Sequence, residues 1–291
     1  MVQVLSWSQL WLTGGLVVFF PALRLVLNAA AFEPLANAVL QHSRNHGSSS
    51  SSSSSSSSKL APKRTQLAVE KFCESCWKLL GHVVFLCIGL AAVWGAPWLQ
   101  DSRQFWDGWP HHDLSAPLHV LYQLKLGFYC SSIATYVLWD VRRSDFAATF
   151  THHVATALLI GMSLHHKYWR VGSVIMLLND ADDTLMEAAK LAKYCRREGL
   201  ATTLFIAFAA AFLLLRLGYF PFFVLRSTLF EAPEVLPQPP PQYASFNGLL
   251  LLLLGLNCYW FRLVLRIAWL KLMTGSAHDV REEEDYQGCT G

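Results

Sequence analysis

Seven apolar stretches restrict the fold of this chain more than any other feature of its sequence. Crossing a bilayer core of roughly 30 Å takes about 20 mostly apolar residues in a helix. Lipid offers no partner to an open strand edge, so such segments are expected to be helical. The stretches are residues 10–30, 79–98, 118–139, 148–166, 171–190, 200–224 and 247–272. The sequence therefore predicts an all-α polytopic membrane protein with seven transmembrane helices.

The composition agrees with a membrane protein. Of the 291 residues, 53% are hydrophobic and 15% are charged, whereas a soluble domain has about 25% charged residues. The net charge is only +3, and no basic block is interleaved with aromatic residues. Nucleic acid is therefore not expected as a partner, while membrane lipid is.

The chain divides into four predicted segments. Residues 1–31 are expected to form an N-terminal transmembrane helix, retained because no basic region or clear cleavage site marks a signal peptide. Residues 32–66 are expected to be a disordered linker, because the serine tract at its centre has nothing to bury. Residues 67–273 are predicted to be one membrane domain of six helices. Residues 274–291 are an acidic tail.

Lysine and arginine residues are concentrated in alternate connections, which predicts the orientation. They are most frequent after the first, third and fifth apolar stretches. The N-terminus is therefore expected to face the lumen or the exterior. The linker and the acidic tail are expected to face the cytosol.

Four carboxylates interrupt the stretch 171–190, where each charge is costly to insert in lipid. They are Asp180, Asp182, Asp183 and Glu187. The spacing of positions 180, 183 and 187 places three of them on one helical face. Such a face is expected to line a polar cavity or to meet basic partners.

The adjacent histidines His152 and His153 are the predicted partners of this acidic face. Counted from the predicted cytosolic helix ends, His152 lies about 6 Å deep and Asp183 about 10 Å deep. A short connection makes the two helices antiparallel neighbours, so a carboxylate is expected to orient an imidazole as in a catalytic dyad. The alternative is a polar cluster that only holds the two helices together.

Several other polar residues have a structural and a functional interpretation. Arginines near the predicted cytosolic surface either anchor the helices or bind substrate phosphates. The neighbouring amide and phenol groups either pack or line the cavity. The candidate substrate-binding residues are Arg142, Arg143, Asn179, Glu187, Asn257, Tyr259, Arg262 and Arg266. Arg216, by contrast, is expected to snorkel to the lumenal interface.

Metal chemistry is not favoured by the histidine spacing. His111–His112 and His165–His166 fall on the opposite predicted side of the membrane from His152. The histidine boxes typical of membrane di-iron desaturases and hydroxylases are absent from the sequence. No metal site is therefore expected.

An extended motif covers residues 140–194, which read DVRRSDFAATFTHHVATALLIGMSLHHKYWRVGSVIMLLNDADDTLMEAAKLAKY. It resembles the Lag motif of the ceramide synthases, which are members of the TLC-domain superfamily. Further family-like blocks are KFCESCWKLL at 71–80, LGFYCSSI at 126–133 and LNCYWFRLVLR at 256–266. The resemblance covers about residues 67–273, and its form looks closer to the plant and algal branch.

The resemblance implies a barrel of six helices around a polar cavity. It also implies an acyl-CoA-dependent sphingoid-base N-acyltransferase of the endoplasmic reticulum, which makes a ceramide or dihydroceramide. Acyl-CoA is then a substrate, and no cofactor is expected. The residues that the family motif marks as catalytic are His152, His153, Asp180 and Asp183. Pairing into a homodimer or heterodimer is a further implication.

Two positions depart from the family pattern. Asn179 stands where many members have histidine, and Asp182 stands where a small residue is usual. No insert of the homeobox type found in animal members fits into residues 31–66.

The expected chemistry needs a base, because a thioester is already activated but an ammonium group does not attack it. His152 is expected either to accept the acyl group transiently or to act directly as the base. His153 and Asp183 would orient it, and Asp180 would help position the amine. The alternative function is a non-catalytic TLC-domain lipid sensor, chaperone or transporter, which the complete H-H and D-x-x-D set disfavours.

Overall fold

The computed structural model of the protein describes residues 7–47, 60–141, 143–236, 238 and 242–274. Within these ranges the regular structure is entirely helical, and no β-strand is present. The α-helices are α1 (Trp7–Leu27), α2 (Glu33–Gly47), α3 (Leu60–Val93), α4 (Ala116–Leu138), α5 (Phe146–His165), α6 (Trp169–Tyr194), α7 (Glu198–Phe212), α8 (Ala232–Val235) and α9 (Tyr243–Thr274). The predicted all-α class is confirmed.

Two pairs of helices are continuous through π-helical segments. Asn28–Phe32 joins α1 to α2. Leu213–Leu225 and Ser227–Glu231 extend α7 to α8. The continuous helical segment from α7 to α8 is therefore much longer than the predicted stretch 200–224.

Part of the predicted linker 32–66 is helical. Helix α2 continues to Gly47, and α3 already begins at Leu60. The reason is packing between the two helices, because Ala36 of α2 is buried against Phe72 and Cys73 of α3. Residues 48–59, which carry the serine tract, lie outside the described residues.

Five of the described helical segments are long and apolar enough to cross a membrane. They are Gln9–Leu40, Thr65–Val93, Phe146–His165, Glu198–Val235 and Tyr243–Met273. Helices α4 and α6 fall outside this group because polar side chains interrupt them. Lys125 and Gln123 lie in α4, and the four carboxylates lie in α6.

Helix α6 lies at the centre of the packing. It contacts α3, α5 and α7 as well as the π-helical segment Leu213–Leu225. Helix α4 packs between α3 and α5, and α9 packs against α5, α7 and the same π-helical segment. Helix α1 lies outside this group against α4, where Gly127 leaves room for Leu16.

An aromatic cluster closes one end of the helix bundle. The ring centroids of Trp106 and Tyr168 lie 6.2 Å apart, and those of Tyr168 and Phe246 lie 4.9 Å apart. All three side chains are buried in the largest apolar core. Buried polar side chains adjoin this cluster, where Trp106 Nε1 donates to Ser227 Oγ at 3.0 Å.

Candidate active site

A cavity of about 260 Å³ lies between α3, α4, α5, α6, α7 and α9, and the predicted histidine pair lines it. The ring centroids of His152 and His153 are 5.8 Å apart. Tyr129 contacts both rings, and Trp260 packs edge-on against His152 at 5.3 Å. Asp183 lines the same cavity. Histidines and one predicted carboxylate thus share a chamber, as the sequence suggests.

The described contacts of the histidine pair differ from a carboxylate-oriented dyad. The Nδ1 atoms of His152 and His153 are buried and have no hydrogen-bond partner among the described residues. Neither ring has a hydrogen bond to Asp180 or Asp183 among the contacts of the described residues. The carboxylates are instead engaged by basic side chains from other helices.

Asp180 lies behind the cavity wall in a buried cluster. Its Oδ1 atom accepts a hydrogen bond from Lys125 Nζ at 2.5 Å and lies 3.0 Å from His82 Nδ1. Asp180 and Lys125 are each 1% exposed. A charged pair this deeply buried depends on its partners, since either group left alone would be strongly destabilising.

Asp182 and Asp183 are paired with Arg216 from the π-helical segment. Arg216 Nη2 donates to Asp182 Oδ1 at 2.9 Å and forms an ion pair with Asp183 Oδ1 at 2.7 Å. The expectation that Arg216 snorkels to an interface is wrong, because the side chain is buried. The helical segment continues to Val235, so Arg216 lies near its middle and meets the carboxylates of α6 instead.

Basic side chains surround the cavity where α6 and α9 end. Those that line it are Arg24, Lys78, Arg143, Lys190, Lys193 and Lys271. Arg143 donates to Glu74 at 2.9 Å, and Lys190 donates to Glu187 at 2.8 Å. Burial disfavours the charge on Arg143, but the Glu74 carboxylate more than offsets this and raises the pKa of Arg143. We call this group of cations the basic end.

The predicted substrate-binding residues fall into separate places. Arg143 and Glu187 line the cavity. Asn179 lines a second cavity of about 30 Å³, and its Nδ2 donates to the Ile175 carbonyl. Asn257 is buried, its Oδ1 has no partner among the described residues, and it does not line the cavity of the histidine pair. Arg142 lies outside the described residues.

Helix α9 turns a different face to the cavity from the one that the sequence suggests. Tyr259, Arg262 and Arg266 are exposed and do not line the cavity. The face that does line it carries Trp260, Leu263, Val264, Ile267 and Lys271. The structure therefore does not bring the two arginines of α9 to the histidine pair.

The two outer histidine pairs lie away from the cavity. His112 Nε2 lies 2.5 Å from the Asp107 carbonyl oxygen, and burial lowers the pKa of His112. The His165 and His166 rings pack against each other with centroids 4.6 Å apart. Across the part of the chain that the structure describes, no group of three or more His, Cys, Asp or Glu residues is arranged to hold a metal ion.

Sequence reasoning missed two residues of the site, His82 and Lys125. Both belong to the cluster around Asp180. Each is an ionisable residue inside a predicted apolar stretch, 79–98 or 118–139. An ionisable side chain at such a position is a functional-site candidate by default, so the signal was present in the sequence.

Comparison with known proteins places the chain in a family. The TLC-domain family model matches residues 71–266. Human ceramide synthase 5 is 40% identical over 230 residues, which are 76% of this chain and 58% of the human protein. Ceramide synthase LOH1 of Arabidopsis thaliana is 36% identical over 260 residues, which are 86% of this chain and 82% of that protein.

A third relative supports the same assignment. Ceramide synthase LOH2 of Arabidopsis thaliana is 34% identical over 269 residues, covering 90% of this chain and 87% of that protein. The matches span the cavity-lining helices α3 to α9. The chain therefore belongs to the TLC-domain family and, within it, to the ceramide synthases.

Proposed function

We propose that this protein transfers a fatty acyl group from acyl-CoA to the amine of a long-chain sphingoid base and so forms ceramide or dihydroceramide. The observation that carries the proposal is the cavity, which His152, His153 and Asp183 line together with the cations of the basic end. The three relatives reported above are named ceramide synthases, which supports the same activity.

The two parts of the cavity suit the two parts of acyl-CoA. Coenzyme A carries phosphates, which bind well to lysine and arginine side chains such as those of the basic end. The fatty acyl chain needs apolar walls, which α7 and α9 provide with Phe208, Phe212 and Val264. The thioester between these two parts would then lie near the histidine pair.

The histidine pair is proposed to carry the transfer. His152 either accepts the acyl group as an acyl-imidazole, with release of CoA, or removes a proton from the attacking amine. In both routes a carbon–nitrogen bond forms, the carbon–sulfur bond of the thioester breaks, and the thiol of CoA leaves with a proton. The Arg216 pair fixes Asp183 in the wall of the cavity that the histidine pair also lines.

The finer membrane arrangement is also a proposal. We infer seven membrane spans, with α4 and α6 shielded from lipid by the more apolar helices. The neighbour pairs α3–α4, α4–α5, α5–α9, α7–α9, α6–α7 and α3–α6 support a ring of six helices around the cavity. An N-terminus in the lumen of the endoplasmic reticulum turns the basic end toward the cytosol, where acyl-CoA is found.

The test uses the full-length protein purified in detergent. It is incubated with acyl-CoA and dihydrosphingosine, and N-acylated base is measured by mass spectrometry. The proposal expects product that depends on both substrates and releases one equivalent of CoA. A correctly folded protein that yields no N-acylated product from any of several acyl-CoA lengths contradicts it.

A further inference from the structure

His82 of α3 is a third imidazole in the wall of the cavity. Its Nδ1 atom lies 3.0 Å from Asp180 Oδ1. Among the described residues that line the cavity, it is the histidine with a hydrogen bond to a carboxylate, since the Nδ1 atoms of His152 and His153 have no partner. His82 thus has the geometry that the sequence led us to expect of the histidine pair.

Lys125 determines which nitrogen of His82 carries the hydrogen. Its Nζ donates to the same Oδ1 of Asp180 at 2.5 Å, so this oxygen accepts from both neighbours. Because a carboxylate oxygen can only accept, the Nδ1 atom of His82 must be the donor in its contact with Asp180. In a neutral imidazole this leaves the lone pair on Nε2.

The hydrogen bond to Asp180 engages Nδ1 of His82 and leaves Nε2 available. The side chain is only 11% exposed and lines the cavity, and Nε2 has no partner among the described residues. His82 is close enough to the histidine pair and to Asp183 to interact with them electrostatically. The ionisable groups that face it are Lys125 from α4, His152 and His153 from α5, and Asp180, Asp182 and Asp183 from α6.

We propose that His82 is the proton acceptor for the attacking amine, held in the correct tautomer by Asp180 and Lys125. The inference rests on the proposed function and divides its chemistry between two places. The histidine pair handles the acyl group, and His82 handles the proton of the sphingoid base. A carboxylate-oriented imidazole is the arrangement that general-base catalysis uses.

The neutral amine attacks the acyl carbonyl carbon, the carbon–nitrogen bond forms, and the bond from that carbon to its leaving group breaks. The amine proton moves to Nε2 of His82, which becomes an imidazolium. That proton then passes to the departing thiolate of CoA, or to the imidazole nitrogen if an acyl-imidazole forms first. His82 returns to its neutral form.

The substitution His82→Asn separates a catalytic from a structural role. The asparagine amide nitrogen can replace Nδ1 as donor to Asp180 but provides no base. We expect the full-length variant to keep the thermal stability of the wild type and its KM for acyl-CoA within about twofold. We expect kcat with dihydrosphingosine to fall by about a hundredfold or more, the lower range for general-base catalysis. The pH profile of the residual rate should differ from that of the wild type.

The matched control is His119→Gln. It removes a histidine of α4 that does not line the cavity. His119 contacts Gln9 of α1, and its loss should leave kcat unchanged. A His82→Asn variant with kcat within a few-fold of the wild type and the same pH profile overturns the inference. An inactive wild type would instead overturn the proposed function, and with it this role for His82.

Discussion

Arg216 Nε lies 2.6 Å from Asp182 Oδ2, deep between α6 and the π-helical segment that follows α7. The same guanidinium reaches Asp183, which lines the cavity. Arg216 therefore pairs with two carboxylates. One is Asp182, which departs from the family pattern, and the other is Asp183, which lines the cavity of the histidine pair. Stability and site geometry depend on the same side chain.

Replacing Arg216 should be strongly destabilising. The variant Arg216→Met leaves two buried carboxylates without their cation, and removal of one partner of a buried pair costs about 3–5 kcal/mol. We expect a marked fall in the melting temperature of the detergent-purified protein. The control is Arg262→Met, because Arg262 is exposed on the face of α9 that does not line the cavity, and an exposed charge should contribute about 0–1 kcal/mol. Equal melting temperatures for the two variants would contradict the structural role of Arg216.

Gly172 should tolerate no side chain at the contact between α4, α5 and α6. A Cβ there would collide with Tyr122 Oη and Ser163 Oγ, which are hydrogen-bonded to each other at 2.7 Å. Overpacking of this kind costs about 1–3 kcal/mol, so Gly172→Ala should lower the melting temperature.

The matched control is Gly161→Ala in α5, where no atom lies within 4 Å of the new Cβ. Alanine is favoured over glycine inside a helix by roughly 0.5–1 kcal/mol, so this variant should be as stable as the wild type or more so. A stabilising Gly172→Ala would show that α4 and α6 do not approach as described.

Lys193 should contribute to acyl-CoA binding, whereas Arg262 should not. Lys193 lines the cavity at the basic end, while Arg262 is exposed on the other face of α9. Loss of one partly exposed charge partner of a phosphate is worth about 1 kcal/mol, so Lys193→Gln should raise KM for acyl-CoA about fivefold. Steady-state kinetics of Arg262→Gln should match the wild type. The reverse order of the two KM values would favour the arginines of α9 as the phosphate site.

The helical class and the positions of the main helices can be predicted from the sequence, but the residues at which the helices end cannot. Length and apolarity mark each span, whereas α2 depends on the packing of Ala36 against α3, which involves residues distant in sequence. The prediction also ended the sixth span at residue 224, whereas the helical segment that begins with α7 continues through Pro221 to Val235.

The chamber shared by the histidine pair and Asp183 was predictable from the depth of both in adjacent helices. The basic partners of Asp180, Asp182 and Asp183 could not be predicted. Residues 180 and 183 are 60° apart around a helix, and their spacing does not reveal which of them faces the cavity. Helix rotation decides this, and it turns Asp180 toward His82 and Lys125. The rotation of α9 likewise turns Arg262 away from the site.

The substitution His152→Ala tests the central claim most directly. Purified wild type, His152→Ala and the control His165→Gln, which changes a histidine away from the cavity, are compared for N-acylated dihydrosphingosine formed from acyl-CoA. The account predicts that His152→Ala keeps its melting temperature and loses about a hundredfold or more in kcat, as expected for removal of a catalytic imidazole. It also predicts that His165→Gln remains active. Wild-type rates of product formation in His152→Ala would contradict the assignment of acyl transfer to this cavity.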